Sequence, residues 1–445
     1  MEASQLNWLS ATDAARAIRD GAVTSEQLVQ ACLARVREAE PQVQAWQHLD
    51  EEHARAQARA RDLDRSEGHP TGPLHGVPVG IKDIIDTCDM PTEDGTVLHA
   101  GRMPTRDAAV VAALRAAGAV IMGKTVTTEC ATYSPGKTRN PHNAAHTPGG
   151  SSSGSAAAVA AGMVPLALGS QTNGSVIRPA SFCGVYGFKP THGLIPRTGI
   201  LKLSRTLDHV GVFARSIDDV ALVAETLVGS DVDDPDTRPR AAIPFRELAA
   251  QEPPLPPLLG FVKPPVWDRA APETKEAFRE LAAQMSESIV EIELPASTAG
   301  MLDWHRTIME AEMAANLDRE YEQGRERLSE SLRSQLARGR EIRALDYQRA
   351  VARIGLLNAA FDEIFERCDA FVTPSAAGTA PRGLESTGDP SFCTLWTFCG
   401  MPAVNLPLMQ GENGLPLGVQ LVGPRQSDAR LLRTARWLVN RLAQS

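Results

Sequence analysis

The chain has no long hydrophobic run. Its longest apolar stretch, Ala156 to Leu168, is interrupted by Gly162 and Pro165 and falls short of the roughly 20 residues that a membrane-crossing helix needs. The opening Met-Glu-Ala-Ser-Gln-Leu lacks the basic and apolar segments of a secretory signal, so a cytoplasmic protein without a membrane partner is expected. Cysteines are few and scattered: Cys32, Cys88, Cys130, Cys183, Cys368, Cys393 and Cys399 form no Cys-x-x-Cys pair and no Cys/His spacing. That argues against a zinc site or a disulfide framework and for reduced thiols. Positive charge is not in excess, with 45 Lys and Arg against 54 Asp and Glu, a net charge of −9. No basic patch stands out. Direct contact with nucleic acid or an anionic membrane is therefore not expected, unless a partner protein supplies the basic surface. Internal repeats and low-complexity tracts are also missing.

What is present is ordinary globular usage, 43% hydrophobic and 22% charged over 445 residues. Length alone suggests about three domains, and a chain of this size buries roughly three quarters of its unfolded surface. Residues 10–20 and 25–39 read as amphipathic helices, with Ser10 and Thr24 or Ser25 as N-caps and Gly21 as a stop. Residues 50–66 read as a charged, Ala-rich helix. Val77 to Ile81 alternates with period two, predicting a strand that ends in Lys82. A helix over 107–117, a strand over 119–122, a small-residue helix over 155–161 and a strand over 164–168 follow. Residues 230–258 look like a surface excursion. Residues 272–286 and 305–366 are mostly helical, and 369–373 and 419–422 return to strand. Alternating helices and strands predict an α/β fold.

Three segments carry the chemistry. Gly149-Gly-Ser151-Ser-Ser-Gly-Ser155 has a linker's composition, yet it runs straight into a tightly packing Ala-rich helix. Glycine lets backbone approach a reacting centre, and helix-start N–H groups hold negative charge. A phosphate loop is not supported, because no Lys-Ser/Thr stands at the required place. Ser175 alone is a simple turn serine. Its position, in a Gly-containing loop leaving a strand, is where backbone N–H groups converge on a developing oxyanion. Lys82 is flanked by Val79, Ile81, Ile84 and Ile85; buried there, its pKa falls and it can act as a base, which a surface lysine cannot do near neutrality. No histidine competes: His142 and His146 lie in a Pro/Asn-rich loop, His75 and His192 flank glycines and His209 follows Asp208; none pairs with both an evident acidic partner and a Gly-flanked serine, and each is read as a turn or surface residue. A Ser-His-Asp triad is the weaker reading.

Together these segments resemble the amidase signature enzymes. The resemblance is carried by Gly72-Pro-Leu-His-Gly-Val-Pro-Val-Gly-Ile-Lys-Asp83, Asn140-Pro141, the run from Thr147 to Gly162, Gly174-Ser175, Phe182-Cys-Gly-Val-Tyr-Gly-Phe-Lys-Pro-Thr191, Gly400-Met-Pro-Ala403 and Gly414 to Gln420. It covers residue 6 to the C-terminus and implies one domain over 1–445, a large twisted mixed β-sheet wrapped by helices. It implies Ser175 as the acylated nucleophile, Ser151 as the bridging serine, Lys82 as the base, and backbone N–H groups near Thr172, Asn173 and Gly174 as the oxyanion hole. The Gly150–Ser151 peptide is expected to be cis. No metal or organic cofactor is implied. Two departures stand out. Many members have Asp-x-Gly-Gly-Ser where this chain has Gln171-Thr-Asn-Gly-Ser175, which puts the fine geometry of the loop in question. Many read Ser-Ile-Arg, whereas here the arginine comes one place later, at Arg178. That arrangement is similar to small-acid amidases such as malonamidase, in which the arginine binds a substrate carboxylate. An arginine paired internally with a carboxylate is the structural alternative.

The expected function is hydrolysis of an amide C–N bond in a small polar molecule, through an acyl-enzyme on Ser175. The first rival is the glutamine-hydrolysing A-type subunit of a tRNA amidotransferase, which needs a partner. The second is a catalytically silent binding protein. Pocket walls are expected from the loop near Tyr133 and the helical region around 300–345, where Trp304, His305, Arg306 and Glu310 are candidates. The oligomeric state is not fixed by the sequence, and a homodimer stays open.

Overall fold

The computed structural model describes residues 3–444; Met1, Glu2 and Ser445, at the ends of the span assigned to one domain, lie outside them. The elements of the first half are α1 (Ala11–Arg19), α2 (Ser25–Val43), β1 (Trp46–Leu49), α3 (Glu51–Ser66), β2 (Pro78–Lys82), α4 (Ala109–Ala116), β3 (Val120–Thr125), α5 (Ser153–Ala160), β4 (Leu166–Gln171), α6 (Ile177–Cys183), β5 (Tyr186–Lys189), β6 (His209–Ala214) and α7 (Ile217–Leu227). The second half adds α8 (Phe245–Ala250), β7 (Leu259–Val262), α9 (Pro272–Gln284), β8 (Ile289–Ile292), α10 (Met301–Asn316), α11 (Asp318–Gly324), α12 (Glu330–Arg340), α13 (Ala344–Phe365), β9 (Ala370–Pro374), α14 (Ser391–Phe398), β10 (Ala403–Gln410), β11 (Pro416–Val422) and α15 (Asp428–Ala443).

The eleven strands of the described residues join one sheet in the order β1-β3-β2-β4-β6-β5-β10-β11-β9-β7-β8. It is mixed: β3, β2 and β4 run parallel, as do β8, β7 and β9, and the remaining neighbours are antiparallel. The expected α/β fold, a mixed sheet wrapped by helices, is what the chain adopts. Strands β2, β3 and β4 are buried along their whole length, as parallel strands covered on both faces must be. Their apolar character follows from that, and polar residues inside them need a specific reason.

The parallel pairing fixes where the chemistry collects. Ile81 on β2 is opposite Leu168 on β4, and Lys82 is opposite Thr125 on β3. Lys82 therefore ends its strand at the same sheet edge where β4 ends in Ser170 and Gln171. The carboxyl ends of parallel strands are where open α/β sheets hold ligands, because chain reversals leave a crevice there. Helix α5 packs beneath that edge, and its residues Ser153 to Val159 are all buried. Its small side chains are a packing requirement. A Cβ on Gly154 would meet the Ala45 carbonyl oxygen at 2.2 Å and the Val126 nitrogen at 2.3 Å. The glycine-rich run is thus a packed turn and helix start, not a linker. The 230–258 excursion is mostly exposed, but it is anchored by buried Asp234, Thr237, Phe245 and Ala249. No helix among the described residues is long and apolar enough to cross a membrane.

Candidate active site

Lys82 is completely buried, and its Nζ lies 2.7 Å from Ser151 Oγ and 2.8 Å from Ser170 Oγ. Burial holds the amine well below its usual pKa, with the charge of Asp208 pulling the other way. A neutral amine has two N–H donors and one lone pair, so one of the two hydroxyls can donate to it. The Gly150–Ser151 peptide is cis. Ser170 is a site residue that sequence reasoning misses; its place at the end of β4, two residues beyond Leu168, is the signal that locates it.

Ser175 sits past the end of β4, just before α6, 8% exposed and with no hydrogen-bond partner for its hydroxyl among the described residues. The N–H groups of Asn173, Gly174 and Ser175 likewise have no acceptor among the described residues. Uncommitted N–H donors beside a helix start are suited to hold negative charge. Pro179 falls in the first turn of α6, where the missing N–H costs little.

The loop carrying these donors is braced along its length. Gln171 Oε1 accepts from the N–H groups of Val176 (2.8 Å) and Ile177 (3.0 Å), while Gln171 Nε2 donates to Thr397 Oγ1 (2.9 Å). Glutamine thus closes the loop as a carboxylate at that position would, and without a buried charge. Thr172 Oγ1 donates to Asp208 Oδ1 at 2.6 Å, and Thr172 O accepts from His305 Nε2 at 2.9 Å. Asn173 is held three ways: Nδ2 donates to Tyr133 Oη, Oδ1 accepts from Thr394 Oγ1, and its carbonyl accepts from Thr397 Oγ1. The larger side chain at 173 is therefore accommodated. Thr394 and Thr397, one turn apart on α14, are invisible to sequence reasoning because they stand 221 to 226 positions from the loop residues they fix.

Arg178 does not follow the structural alternative raised for it. Its guanidinium is not paired with an internal carboxylate among the described residues. It is buried, donating from one terminal nitrogen to Gly150 O (2.7 Å) and Thr387 Oγ1 (3.0 Å), with Nε and the other terminal nitrogen unpartnered. Burial lowers its pKa. Tyr133 is half-buried at the mouth of a cleft of about 430 Å³, with Asn173, His305, Glu310, Gln335 and Arg338 among its walls. Arg306, also a candidate from the sequence, lies in the same walls; Trp304 instead packs against Phe398. The histidines need correction too. His75 and His209 are buried because the segments around them pack closely and are not exposed turns. Neither forms a hydrogen bond with Ser175.

Two other lysines are equally buried. Lys124, on β3, reaches Ile85 O and Thr92 Oγ1 and lies 3.8 Å from the Asp83 carboxylate. Lys189, at the end of β5, donates to the carbonyls of Pro190 and Met401. Of these three lysines, only Lys82 faces a pair of serine hydroxyls.

A model of the amidase family matches residues 27–432. The A subunit of the glutamyl-tRNA(Gln) amidotransferase of Chloroflexus aggregans is 35% identical over 471 residues, covering 97% of this chain and 96% of that protein. Peptide amidase from Stenotrophomonas maltophilia superposes with a TM-score of 0.86 at 29% identity, covering 98% of this chain and 97% of that one. A chain solved in "an unexpected vestigial protein complex", tied to the origins of an s-triazine catabolic enzyme, gives a TM-score of 0.91 at 27% identity, covering 97% and 98%.

Proposed function

The chain belongs to the amidase family and is an amide-cleaving hydrolase; on that premise we propose that Ser175, Ser151 and Lys82 carry the reaction. The supporting observation is a fully buried lysine held by serine hydroxyls, beside a loop with uncommitted N–H groups. Neutral Lys82 takes the Ser151 proton as Ser151 takes that of Ser175, and Ser175 Oγ attacks the amide carbon. The N–H groups of the Thr172–Ser175 loop receive the oxyanion. The proton returns along the same path to the leaving nitrogen, the C–N bond breaks, and water releases the acid from the acyl-enzyme. In this reading the eleven-strand sheet forms one catalytic domain.

For the substrate, two readings share one chemistry: a small amide bearing a carboxylate. Arg178, with Nε and one terminal nitrogen unpartnered beside the Ser151 peptide, supports a charge-assisted contact to a substrate carboxylate. Tyr133 is read as a wall of the cleft that it lines with Asn173. The names of the curated relatives favour glutamine as that amide and an A-type subunit with a partner, over a stand-alone amidase acting on another small acid. The cytoplasm suits seven free cysteines. The decisive experiment measures ammonia release from glutamine, succinamate and acetamide, by the chain alone and after co-expression with candidate partner proteins. Turnover of glutamine only in a complex establishes the partner-dependent reading; turnover of succinamate by the chain alone establishes the free amidase; no turnover of any amide in either format overturns the proposal.

A further inference from the structure

Lys82 has a second hydroxyl partner that the proton path does not use. Ser170, whose Oγ lies 2.8 Å from Nζ, lines a cavity of about 360 Å³ together with Thr172, Asp208 and His209. The cleft that opens on Tyr133 and Asn173 has a separate lining. The cavity wall combines the end of β4, where Ser170 stands against Lys82, with the loop that leads into β6, where the Asp208 carboxylate holds Thr172 of the reactive loop.

That carboxylate is fully engaged, but not by a cation. Oδ1 of Asp208 accepts the Thr172 hydroxyl at 2.6 Å; Oδ2 accepts the N–H groups of Leu203 (3.0 Å) and Ser204 (2.9 Å). Arg197 donates to the Asp208 backbone carbonyl, while its guanidinium is committed to Asp234 and Asp236. The other charged groups around the cavity are Lys202, Arg205 and Asp233. His209 contributes a neutral ring: burial drives it well below its usual pKa, and Nε2 has no partner among the described residues. Among the described residues Asp208 forms no ion pair; the charge of Arg197 favours its ionised form, and its own charge favours protonated Lys82 against the effect of burial.

We infer that Asp208 is a positioning residue for the proposed reaction, holding the Thr172 hydroxyl in place and using its charge to set the pH range in which Lys82 serves as base. The inference rests on the reading of Lys82 as that base. Asp208 touches neither the substrate nor the reacting atoms; it acts through Thr172 and through the field at Nζ. The physical logic is a balance. Burial makes the amine a poor proton acceptor, and a nearby anion restores part of its basicity. A carboxylate fixed by three donors cannot turn away to find solvent. Burial pushes Asp208 itself up to about 6, against the Thr172 and backbone hydrogen bonds, so its charge is in place at and above neutrality.

The test is the pH profile of kcat/KM on the best substrate among glutamine, succinamate and acetamide, for the wild type, D208N, T172V and K82A. Asparagine is nearly isosteric: its oxygen can take the Leu203 and Ser204 N–H groups, and the Thr172 hydroxyl can turn to accept from its amide. D208N should move the acid limb to lower pH, because an amine without the anion loses its proton sooner, and should lower plateau kcat about 10-fold, because a less basic amine is a weaker proton acceptor. T172V, which keeps the charge and loses the bond, should lower kcat with the acid limb unmoved. A folded D208N with the wild-type limb overturns the inference. If D208N does not fold, T172V at wild-type kcat overturns it, since that hydroxyl is what ties Asp208 to the reactive loop. A K82A variant at near-normal rate would instead remove the base reading beneath it.

Discussion

Lys82 and Lys124 end up on neighbouring parallel strands, both wholly buried, yet their surroundings differ in kind. Lys124 is placed among a carboxylate, a carbonyl and a threonine; burial pushes it down and Asp83 pushes it back. Lys82 has no carboxylate at contact distance among the described residues; its partners are the hydroxyls of Ser151 and Ser170. Burial alone does not make a base. A buried lysine with an anion beside it is a structural ion, and removing it strands the anion. A buried lysine with hydroxyls beside it is free to lose its proton and to take one from them. Lys189, held by two carbonyls, is a third arrangement: it can donate but is offered no proton to accept, although burial brings it to about 7.

The comparison can be broken in order of effect. S175A should reduce turnover to the level left by the binding site alone, with the fold intact, since one partly accessible hydroxyl without a partner costs little stability. Steady-state assay with a thermal melt decides it; near-wild-type turnover would dismiss Ser175. K82A should lower kcat by about 10²–10⁴, the scale of a general base, with partial recovery at high pH as hydroxide substitutes. The sign of the pH effect on stability is also fixed. Lys82 folds with a depressed pKa, so between that value and its ordinary value of 10.5 the unfolded chain binds more protons, and folding gains stability as pH rises. K82M should lose that slope, as read from melts at stepped pH, and a slope equal to the wild type's would contradict the account.

K124M sharpens the contrast from the other side. It leaves Asp83 buried without its cation, which should cost about 3–5 kcal/mol of stability, while any folded fraction keeps its kcat. Chemical denaturation beside activity per folded molecule separates the two; a specific loss of kcat at full stability would place Lys124 in the reaction. The smallest effect concerns recognition. R178K should raise KM about tenfold for succinamate and little for acetamide, because a point charge replaces a planar fork. Equal effects on both amides would return Arg178 to a purely structural part.

Much of this is legible in the chain because the relevant signals are local. The period-two pattern places the strand ending in Lys82 one residue early, the Ala-rich run starts its helix two residues late, and the apolar run before Ser175 begins and ends its strand two to three residues early. Strands β1, β5, β6, β7, β8 and most of β10 leave no readable pattern: four of them have only four residues, and β6 begins with a histidine in what reads as a turn. Helices α6 and α14 are hidden because a proline in one and aromatics in the other mask their period. The reactive trio can be named from motif and flanking residues. Its supports cannot, because Asp208, His305, Thr394 and Thr397 reach the loop from 36 to 226 positions away, and only the folded sheet brings such separations together.

The central claim, that Ser175 is acylated with Lys82 as the ultimate proton acceptor, is tested most directly by trapping the covalent intermediate. The protein is reacted with a fluorophosphonate, and the adduct is weighed on the intact chain and mapped by peptide mass. The account predicts one adduct, on the peptide containing Ser175, absent in S175A and formed far more slowly in K82A but not in folded K124M. An adduct on Ser151 or elsewhere, or labelling of Ser175 at an equal rate in K82A, would contradict it.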